Sequence, residues 1–331
     1  MDLSTISDMQ TEHSLPDVEM FEGDEDCRSN NMPGISRMTS REAMLTQHQM
    51  DLRRRLMDTI SPENNFKEES LVFTDIAYIA DGNSKHTLDI YLPSNSAETS
   101  SLPLIVYIHG GAWRTGDKSD FTKLCKGLIT VSQDKIAVAA VSYRLCTRSS
   151  ESIKHPELLN DAVNAVKFLI SGSYPGKPHV DTNKVFLVGH SAGAHLSTLM
   201  VLSEQPGFQE YLSCIKGVLG VSGIYDIPEL LKVYPDYSDF VEMAFDKSQY
   251  QNASPYYVAQ TKYANAEHLR FLIVSSTADE LIASVHSARF ACQLVSSGYS
   301  NVAMVIKDIG THDEEPFTQD FWRIVNDFIL K

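Results

Sequence analysis

Apolar residues recur along this chain in two alternating patterns: short continuous runs, and longer runs spaced by three and four residues. The short runs are typical of strands buried on both faces of a sheet, and the longer runs of amphipathic helices. Strands are predicted at residues 71–79, 87–92, 104–109, 136–143, 185–188, 215–221, 269–275 and 303–306. Helices are predicted at 121–130, 157–170 and 283–295. This alternation predicts an α/β fold, with a mostly parallel sheet of about eight strands and helices on both faces.

The residues before the first predicted strand differ in composition from the rest. The chain of 331 residues has a net charge of −15, and residues 1–36 contribute −8 of it, with nine acidic residues and one basic residue. We predict a disordered acidic tail over 1–39, because few large apolar side chains are available to fold it. Residues 40–66 are predicted to form an amphipathic helix and a linker. The Arg53–Arg55 run is typical of a helix that packs over the domain edge with its arginines in water. The alternative is a helix that lies on a membrane or on a partner.

A long excursion separates the predicted strands that end at Val221 and begin at Leu269. Connections in α/β domains are usually far shorter. We predict that residues at about 224–266 form a small cap over the carboxyl edge of the sheet. The excursion is rich in aromatic side chains: Tyr225, Tyr234, Tyr237, Phe240, Phe245, Tyr250, Tyr256, Tyr257 and Tyr263. Most of these rings are expected to pack the cap itself, and a minority to face a ligand.

The most informative stretch is the Gly-x-Ser-x-Gly pattern at 189–193, centred on Ser191. An apolar strand ends directly before it, and an alanine- and leucine-rich helical pattern follows it. In this setting the pattern is typical of a nucleophile elbow, a sharp strand-to-helix turn whose small flanking residues permit close packing. Ser191 is therefore predicted to be a catalytic nucleophile. The alternative is a structural glycine-rich turn with an incidental serine.

A serine nucleophile needs a base within hydrogen-bond reach and an acid that orients the base. In elbow-type hydrolases the order along the chain is serine, acid, histidine. That order leaves His286 and His312 as candidates for the base. His286 falls inside a helical pattern, whereas His312 follows the last predicted strand in a loop. We therefore predict that His312 is the base.

The predicted acid is Asp279, which lies at the carboxyl end of the strand 269–275 and precedes His312 by 33 residues. Glu280 is the first alternative. Asp226 is a weaker one, because it opens the cap excursion. Each of these carboxylates is also compatible with a helix-capping role, which is common for Asp in such positions.

Stabilisation of a tetrahedral intermediate requires N–H donors beside the serine. The segment 109–113 (HGGAW) follows a buried strand directly, and its glycines permit the backbone to turn its amides toward Ser191. The predicted oxyanion hole comprises Gly110, Gly111, Ala112 and Ala192, with Gly111 and Ala112 favoured on the loop side. The amide of Ala192 lies at the positive end of a helix.

Four further side chains near these motifs are assigned supporting roles. His109 is expected to hold the oxyanion loop by hydrogen bonding, and Trp113 to pack against it. His190 and His195 flank the nucleophile, and His195, one helical turn after Ser191, is interpreted as a core or supporting histidine. The sequence has no cluster with metal-ligand spacing, no phosphate loop and no dinucleotide fingerprint, so no cofactor and no metal are expected.

Composition limits the partners and the compartment. An acidic chain offers little to neutralise phosphates, so a nucleic-acid partner is not expected. The five cysteines have no paired spacing and are interpreted as free thiols of a reducing compartment. The N-terminus has no secretory pattern, and no apolar run approaches the ~20 residues of a membrane span. We expect a cytoplasmic enzyme with a small-molecule substrate, and a homodimer is left open.

Two motifs and one further short stretch carry a resemblance to a known family. The sequence HGGAW at 109–113 resembles the oxyanion motif of the α/β-hydrolases of the esterase/lipase group that includes the kynurenine formamidases. The sequence GHSAGAH at 189–195 is similar to their nucleophile elbow, and GIYD at 223–226 resembles their fungal members. The resemblance covers about residues 85–331. It implies the α/β-hydrolase fold, with 67–331 as the catalytic domain and a small cap insertion.

The same resemblance implies an arylformamidase, which converts N-formyl-L-kynurenine to L-kynurenine and formate in tryptophan breakdown. Plant prenylcysteine methylesterases and small carboxylesterases share both motifs, so hydrolysis of small esters is the rival expectation. A rival of another class is a non-catalytic binding protein with the α/β-hydrolase fold. The joint presence of serine, acid, histidine and oxyanion loop disfavours that class. The acidic tail and the basic helix are not part of the family pattern.

Overall fold

The computed structural model describes residues 70–94, 101–149, 153–261 and 268–331. The acidic tail expected at 1–39 and the amphipathic helix expected at 40–66 lie outside the described residues, as does Tyr263 of the expected cap. In the part of the chain that is described, no helix combines the length and apolarity needed to cross a membrane.

The described residues form one eight-stranded sheet with the spatial order β1-β2-β4-β3-β5-β6-β7-β8. The strands are β1 (Ser70–Ala77), β2 (Thr87–Pro93), β3 (Leu102–Ile108), β4 (Ala137–Val141), β5 (Val180–His190), β6 (Ile215–Val221), β7 (Arg270–Ser275) and β8 (Val302–Ile306). Only β2 runs against the others, because it pairs antiparallel with both β1 and β4. The remaining neighbours pair in parallel. The predicted mostly parallel sheet of about eight strands is therefore confirmed.

Helices cover both faces of the sheet, as the sequence predicts. The α-helices of the described residues are α1 (Thr122–Val131), α2 (Glu157–Ser171), α3 (Ala192–Leu202), α4 (Ile227–Val233), α5 (Ser238–Ala244), α6 (Pro255–Val258), α7 (Ser284–Ser296) and α8 (Gln319–Leu330). The buried side chains of α2, α3 and α7 belong to one apolar cluster, and those of α1 and α8 to the other.

The continuously apolar sequence of β3 follows from its burial on both faces of the sheet. Leu104, Val106 and Ile108 face the cluster that contains α3, whereas Ile105 and Tyr107 face the cluster that contains α1 and α8. All five side chains are buried. Successive residues of a strand point to opposite faces, so a strand covered on both sides has no position left for a polar residue.

The carboxyl ends of the parallel strands meet at one edge of the sheet. The segment 109–113 follows β3, Ser191 follows β5, and Asp279 follows β7 by a short loop. His312 lies in the loop after β8, and the short helices α4 to α6 occupy the excursion after β6. In open α/β sheets this edge is where ligands bind. The topology therefore brings residues from four loops to one place.

Strand β5 is longer than its hydrophobic pattern predicts, because it begins at Val180 instead of Val185. The added residues are mostly polar, and two of them have partners on β3: Val180, whose side chain is buried in the core, lies opposite Leu102, and Asp181 lies opposite Pro103. A register shift then separates this pairing from the Leu104–Val185 pair. The polar residues 181–184 interrupt the apolar pattern of the strand, so periodicity could not detect its first part.

Candidate active site

Ser191 occupies a strained turn between β5 and α3. Its backbone has φ of 53° and ψ of −118°, a conformation that is costly for a residue with a side chain. The turn is held on both sides: the Ser191 amide donates to the carbonyl of Val221 over 3.0 Å, and the amide of His195 donates to the Ser191 carbonyl over 3.1 Å. Strain of this kind is retained where the surroundings fix it, and it is typical of a nucleophile elbow.

Gly193 permits the elbow to pack directly against the end of β3. An added Cβ at Gly193 would lie 1.9 Å from the carbonyl oxygen of Ile108 and 2.6 Å from that of His109. No side chain fits such a backbone approach. The glycine of the motif therefore keeps the turn at Ser191 next to the end of β3 and the start of the segment 109–113.

His312 and Asp279 form a buried hydrogen-bonded pair. The Nδ1 of His312 lies 2.9 Å from Oδ2 of Asp279, with side-chain exposures of 6% and 0%. The ring of His312 lies next to that of His190, with centroids 4.6 Å apart. Since His190 directly precedes Ser191, this contact places the predicted base beside the elbow. The structure thus brings the predicted acid and base together.

The pair is electrostatically coupled. Burial lowers the pKa of His312, but the hydrogen bond and the charge of Asp279 outweigh it, so the pKa lies above the ordinary histidine value. Burial raises the pKa of Asp279, and the interactions with His312 and with nearby donors reverse that effect, so the carboxyl titrates below its usual range. An ionised aspartate at Nδ1 fixes the tautomer of a neutral His312 with its proton on Nδ1. The Nε2 atom is then left as the proton acceptor.

Asp279 is oriented by the loop that follows it. Its Oδ1 accepts hydrogen bonds from the amides of Leu281 and Ile282, at 2.8 and 2.9 Å. Glu280, the first alternative acid, accepts instead from the backbone amide of His312 over 3.1 Å. Glu280 therefore supports the histidine loop, while the imidazole bonds to Asp279.

The other alternative acid and the other candidate base lie together at the start of α4. Asp226 caps this helix, since its Oδ1 accepts from the amide of Glu229 over 3.0 Å. The Nε2 of His286 accepts from the amides of Tyr225 and Asp226. Desolvation lowers the pKa of His286 to about 4, so the ring stays a neutral acceptor. Both side chains have structural roles here.

The predicted oxyanion loop lies against the nucleophile. An added Cβ at Gly110 would lie 3.0 Å from the Cβ of Ser191. Three consecutive residues have a positive φ: Gly111, Ala112 and Trp113, at 111°, 51° and 58°. The Gly111 carbonyl closes this turn by accepting hydrogen bonds from the amides three and four residues further on, those of Arg114 and Thr115, both over 3.0 Å. A backbone folded in this way can direct amides at one point, as an oxyanion hole requires.

His109, the first residue of the predicted oxyanion loop, is fixed by buried contacts. Its Nδ1 lies 2.7 Å from the carbonyl of Gly110, and its ring stacks on Tyr143 with centroids 4.5 Å apart. The hydroxyl of Tyr143 donates to the His109 carbonyl over 3.0 Å. His109 is completely buried. These contacts fix the start of the loop on the sheet.

Sequence reasoning missed two polar residues at this edge, Ser222 and Glu315. Both are completely buried, and their side-chain oxygens are 2.7 Å apart. Oε2 of Glu315 lies 3.8 Å from Nε2 of His190. Ligand-type atoms of His190, His312 and Glu315 all lie within 4.8 Å of one another. The acidic run 313–315 directly after His312 was a signal, but the sequence does not show which acid turns inward.

The fold and this geometry define the class of protein. A strained serine between strand and helix, together with an Asp–His pair after two later strands, is the arrangement of an α/β-hydrolase. Among solved structures, esterase B from Lactobacillus rhamnosis matches with a TM-score of 0.67 at 18% identity, covering 88% of this chain and 94% of that one. This likeness shows the fold.

Sequence comparison gives the particular family. The BD-FAE family model matches residues 88–294, so the chain belongs to this family of α/β-hydrolases and is a hydrolase. The chain is 36% identical over 186 residues to a kynurenine formamidase from Meyerozyma guilliermondii, and 34% identical over 149 residues to one from Danio rerio. It is 28% identical over 252 residues to a probable isoprenylcysteine α-carbonyl methylesterase from Arabidopsis thaliana.

These relatives are matched over part of their length. The alignments cover 54%, 44% and 71% of this chain, in the same order. They cover 66%, 45% and 50% of the three relatives. Family membership rests on the match over residues 88–294.

Proposed function

We propose that the protein is a serine hydrolase that converts N-formyl-L-kynurenine to L-kynurenine and formate. The observation that carries the catalytic part is the buried 2.9 Å hydrogen bond between His312 and Asp279, beside the strained turn of Ser191. The names of the fungal and fish relatives support the formamide substrate. In this proposal Ser191 is the nucleophile, His312 the base and Asp279 the orienting acid.

In the first step, Nε2 of His312 takes the proton of the Ser191 hydroxyl while Oγ bonds to the formyl carbon. The carbonyl oxygen becomes an oxyanion, and we assign its stabilisation to the amides of Gly111, Ala112 and Ala192. Ala192 is the first residue of α3, where the amide has no acceptor within the helix and the dipole favours negative charge. His312 then donates its proton to the departing aryl amine as the C–N bond breaks.

In the second step, water attacks the formyl-serine. His312 takes one proton from this water, and its oxygen bonds to the formyl carbon. Collapse of the second tetrahedral intermediate breaks the bond to Ser191, which receives the proton back from His312. Formic acid leaves and gives its remaining proton to solvent to become formate, and the site returns to its starting state.

A formyl group has no carbon beyond its carbonyl, so the discriminating contacts must grip the leaving amine. The cap offers an aromatic cluster of suitable chemistry. Tyr234 stacks on Tyr237 with centroids 4.9 Å apart, and Tyr237 contacts Phe240 at 5.0 Å. The hydroxyl of Tyr237 donates to the carbonyl of Leu281, two residues after Asp279. The cluster therefore lies against the acid loop, where an aryl leaving group would contact half-buried rings.

The second candidate function is hydrolysis of a small ester by the same residues. The likeness to the probable isoprenylcysteine methylesterase favours it, since that relative is matched over 71% of this chain. Aromatic walls would accept a prenyl chain as well as an aryl amine. The two candidates differ in the acyl group and the leaving group, while the roles of Ser191 and His312 are the same.

The deciding measurement is kcat/KM of the full chain for N-formyl-L-kynurenine, phenyl acetate and a prenylcysteine methyl ester. We expect N-formyl-L-kynurenine to be preferred over both esters. A strong preference for either ester would contradict the formamide assignment and leave the hydrolytic site intact. Lack of any turnover, together with no labelling of Ser191 by a fluorophosphonate, would favour a non-catalytic binding protein.

A further inference from the structure

A buried carboxyl group, Glu315, lies next to the proposed catalytic residues and has no part in the steps above. Its side chain is completely buried, and Oε1 is 2.7 Å from the Ser222 hydroxyl oxygen. Within the described part of the chain, no hydrogen bond reaches its Oε2. The donors available to this carboxyl are the Ser222 hydroxyl and the backbone amide of Ser276, and both lower its pKa. With two neutral donors and no cation hydrogen-bonded to it among the described residues, an ionised carboxylate would still be expensive to bury.

Ser222 stands between two carboxyl groups. Besides its contact with Glu315, its hydroxyl lowers the pKa of Asp279, after the larger effects of burial, of His312 and of the Ile282 amide. The Ser222 amide donates to the carbonyl of Val274 in β7, the strand that precedes Asp279, over 2.9 Å. A hydroxyl has one proton and can donate it to only one acceptor at a time. If both carboxyls were ionised, one of them would lose this donor, and two like charges would share a buried site.

A proton on Glu315 resolves this conflict. The carboxyl O–H then donates to Oγ of Ser222, and the Ser222 O–H is free to donate to Asp279. The two hydroxyl protons, one on Glu315 and one on Ser222, then each have an acceptor. Hydrogen bonds in such a chain polarise one another in a low-dielectric interior.

The titratable groups that face Glu315 come from four elements. His190 ends β5, Tyr225 follows β6, Asp279 follows β7, and His312 follows β8. Burial raises the pKa of Glu315 to about 8; the charge of His312 opposes this shift and the charge of Asp279 adds to it. The surroundings are therefore consistent with a neutral carboxyl at pH 7.

We propose that Glu315 is a positioning residue of this site: its neutral carboxyl donates to Ser222, so that Ser222 donates to Asp279 and holds that aspartate against His312. This inference rests on the proposed hydrolase function. Glu315 contacts neither the substrate nor the reacting atoms, and it acts through Ser222 and Asp279.

The first test compares Glu315→Gln with Glu315→Ala, using phenyl acetate so that the result does not depend on the formamide assignment. The glutamine amide is neutral and has an N–H that can donate to Ser222. Glu315→Gln should therefore retain kcat to within about threefold, whereas Glu315→Ala should lower it by about 10-fold to 100-fold, the rate equivalent of leaving a buried polar group unsatisfied. Ser222→Ala should lower kcat to a similar degree, and the double variant with Glu315→Ala should add little to it.

The second test is the pH profile, which a merely structural role would not move. In the wild type, kcat/KM should fall as the pH rises through about 8, because ionised Glu315 draws the Ser222 proton away from Asp279. Glu315→Gln should lack this alkaline fall. Glu204→Gln, the same chemical change at an exposed position outside this network, is the matched control and should retain it.

Thermal unfolding reports the protonation state without reference to activity. The pKa of Glu315 is raised above its ordinary value of 4.5 to about 8, so between these values the folded chain binds a proton that the unfolded chain does not. The wild type therefore loses stability as the pH rises across this window. Glu315→Gln has no such proton, so its Tm should rise relative to that of the wild type from pH 5 to pH 8 and then remain offset.

Three results would overturn the proposal. One is a Glu315→Gln variant as impaired as Glu315→Ala, with a Tm difference that does not change with pH; Glu315 would then act as an anion. Another is activity lost on dialysis against EDTA and restored by Zn²⁺, which would make His190, His312 and Glu315 metal ligands. The third is a wild type that turns over no substrate, which would remove the proposed function as well and is recognised before any variant is compared.

Discussion

The indole Nε1 of Trp113 donates a hydrogen bond to Nδ1 of His195 over 3.3 Å. The other ring nitrogen of His195, Nε2, donates to the carbonyl of Ala253 at 2.6 Å. Desolvation lowers the pKa of His195 to about 3, so the neutral ring has one donor and one acceptor, and both are used. One completely buried side chain thereby joins the oxyanion loop, the elbow helix α3 and the segment before α6.

His195→Phe tests this connection. Phenylalanine keeps most of the ring volume but leaves the Trp113 indole and the Ala253 carbonyl without partners. Unsatisfied buried groups cost about 1–3 kcal/mol each, so we expect the free energy of unfolding to fall by about 2–5 kcal/mol. Urea denaturation followed by tryptophan fluorescence measures it. An unchanged unfolding midpoint would contradict the role given to His195, and Trp113→Phe, which removes one bond only, should cost less.

Ser191→Ala, Asp279→Asn and His312→Ala test the assigned roles. Residues that act as one catalytic unit show losses of about 10³-fold to 10⁶-fold in kcat that do not add when combined. With phenyl acetate as substrate, we expect losses of this size for each variant and non-additive losses for every double variant. Additive losses would mean that one residue acts elsewhere.

Glu280→Gln is the matched control for the acid. In the wild type, the Glu280 carboxylate accepts a hydrogen bond from the His312 backbone amide, whereas the His312 ring bonds to Asp279. A neutral amide oxygen can still accept that hydrogen bond, so we expect a loss of less than about tenfold. A Glu280→Gln variant as inactive as Asp279→Asn would reassign the acid.

The pH dependence of kcat/KM should have an acid limb set by His312. A base must be neutral, so activity falls as the pH drops through the pKa of His312, which lies above the ordinary value of 6.5. In Asp279→Asn the charge and hydrogen bond that raise this pKa are lost, while burial, which lowers it, remains. The limb should therefore move to lower pH in that variant, by about one unit or more. If the residual activity of Asp279→Asn kept the acid limb of the wild type, a group other than His312 would control that limb.

Gly193→Ala tests the close approach of the elbow to β3. The added methyl would lie 1.9 Å from the Ile108 carbonyl oxygen, so strand and helix must separate. We expect a loss of more than about 3 kcal/mol in unfolding free energy, or failure to fold. Ala194→Gly, at the next position of the same helix, should cost about 1 kcal/mol. Calorimetry of the two variants measures the difference, and equal Tm values would contradict the packing argument.

An ion pair links the predicted cap to the segment that follows the predicted oxyanion loop. Arg114 pairs with Asp239 of α5 at 3.0 Å, and its guanidinium lies 5.4 Å from the Phe240 ring centroid. Both charged side chains are about one-third exposed or less, so solvent screens the pair. We expect Asp239→Asn to leave Tm nearly unchanged and to raise KM for N-formyl-L-kynurenine by about threefold to tenfold. Added salt should reduce the difference in KM between variant and wild type. A change in kcat at constant KM would contradict a role of this ion pair in substrate binding.

Much of this architecture was readable from the sequence. Continuous runs such as 104–108 predict buried strands, and the Gly-x-Ser-x-Gly pattern predicts the turn at Ser191, because periodicity and turn chemistry are local properties. The order of the motifs along the chain also selected Asp279 and His312, which the structure brings within hydrogen-bond distance. The full length of β5 was not readable, because the polar residues 181–184 interrupt its apolar pattern.

Other features were decided only by the tertiary structure. Ser222 and Glu315 are 93 residues apart and meet because β6 and the loop after β8 end at the same edge of the sheet. Nothing local distinguishes Glu315 from the two acids before it. Its burial, and the proton that we assign to it, depend on desolvation by side chains from several strands. The sequence by itself determined which elements form and in what order; the register of the sheet determined which polar groups share one buried space and therefore how each is charged.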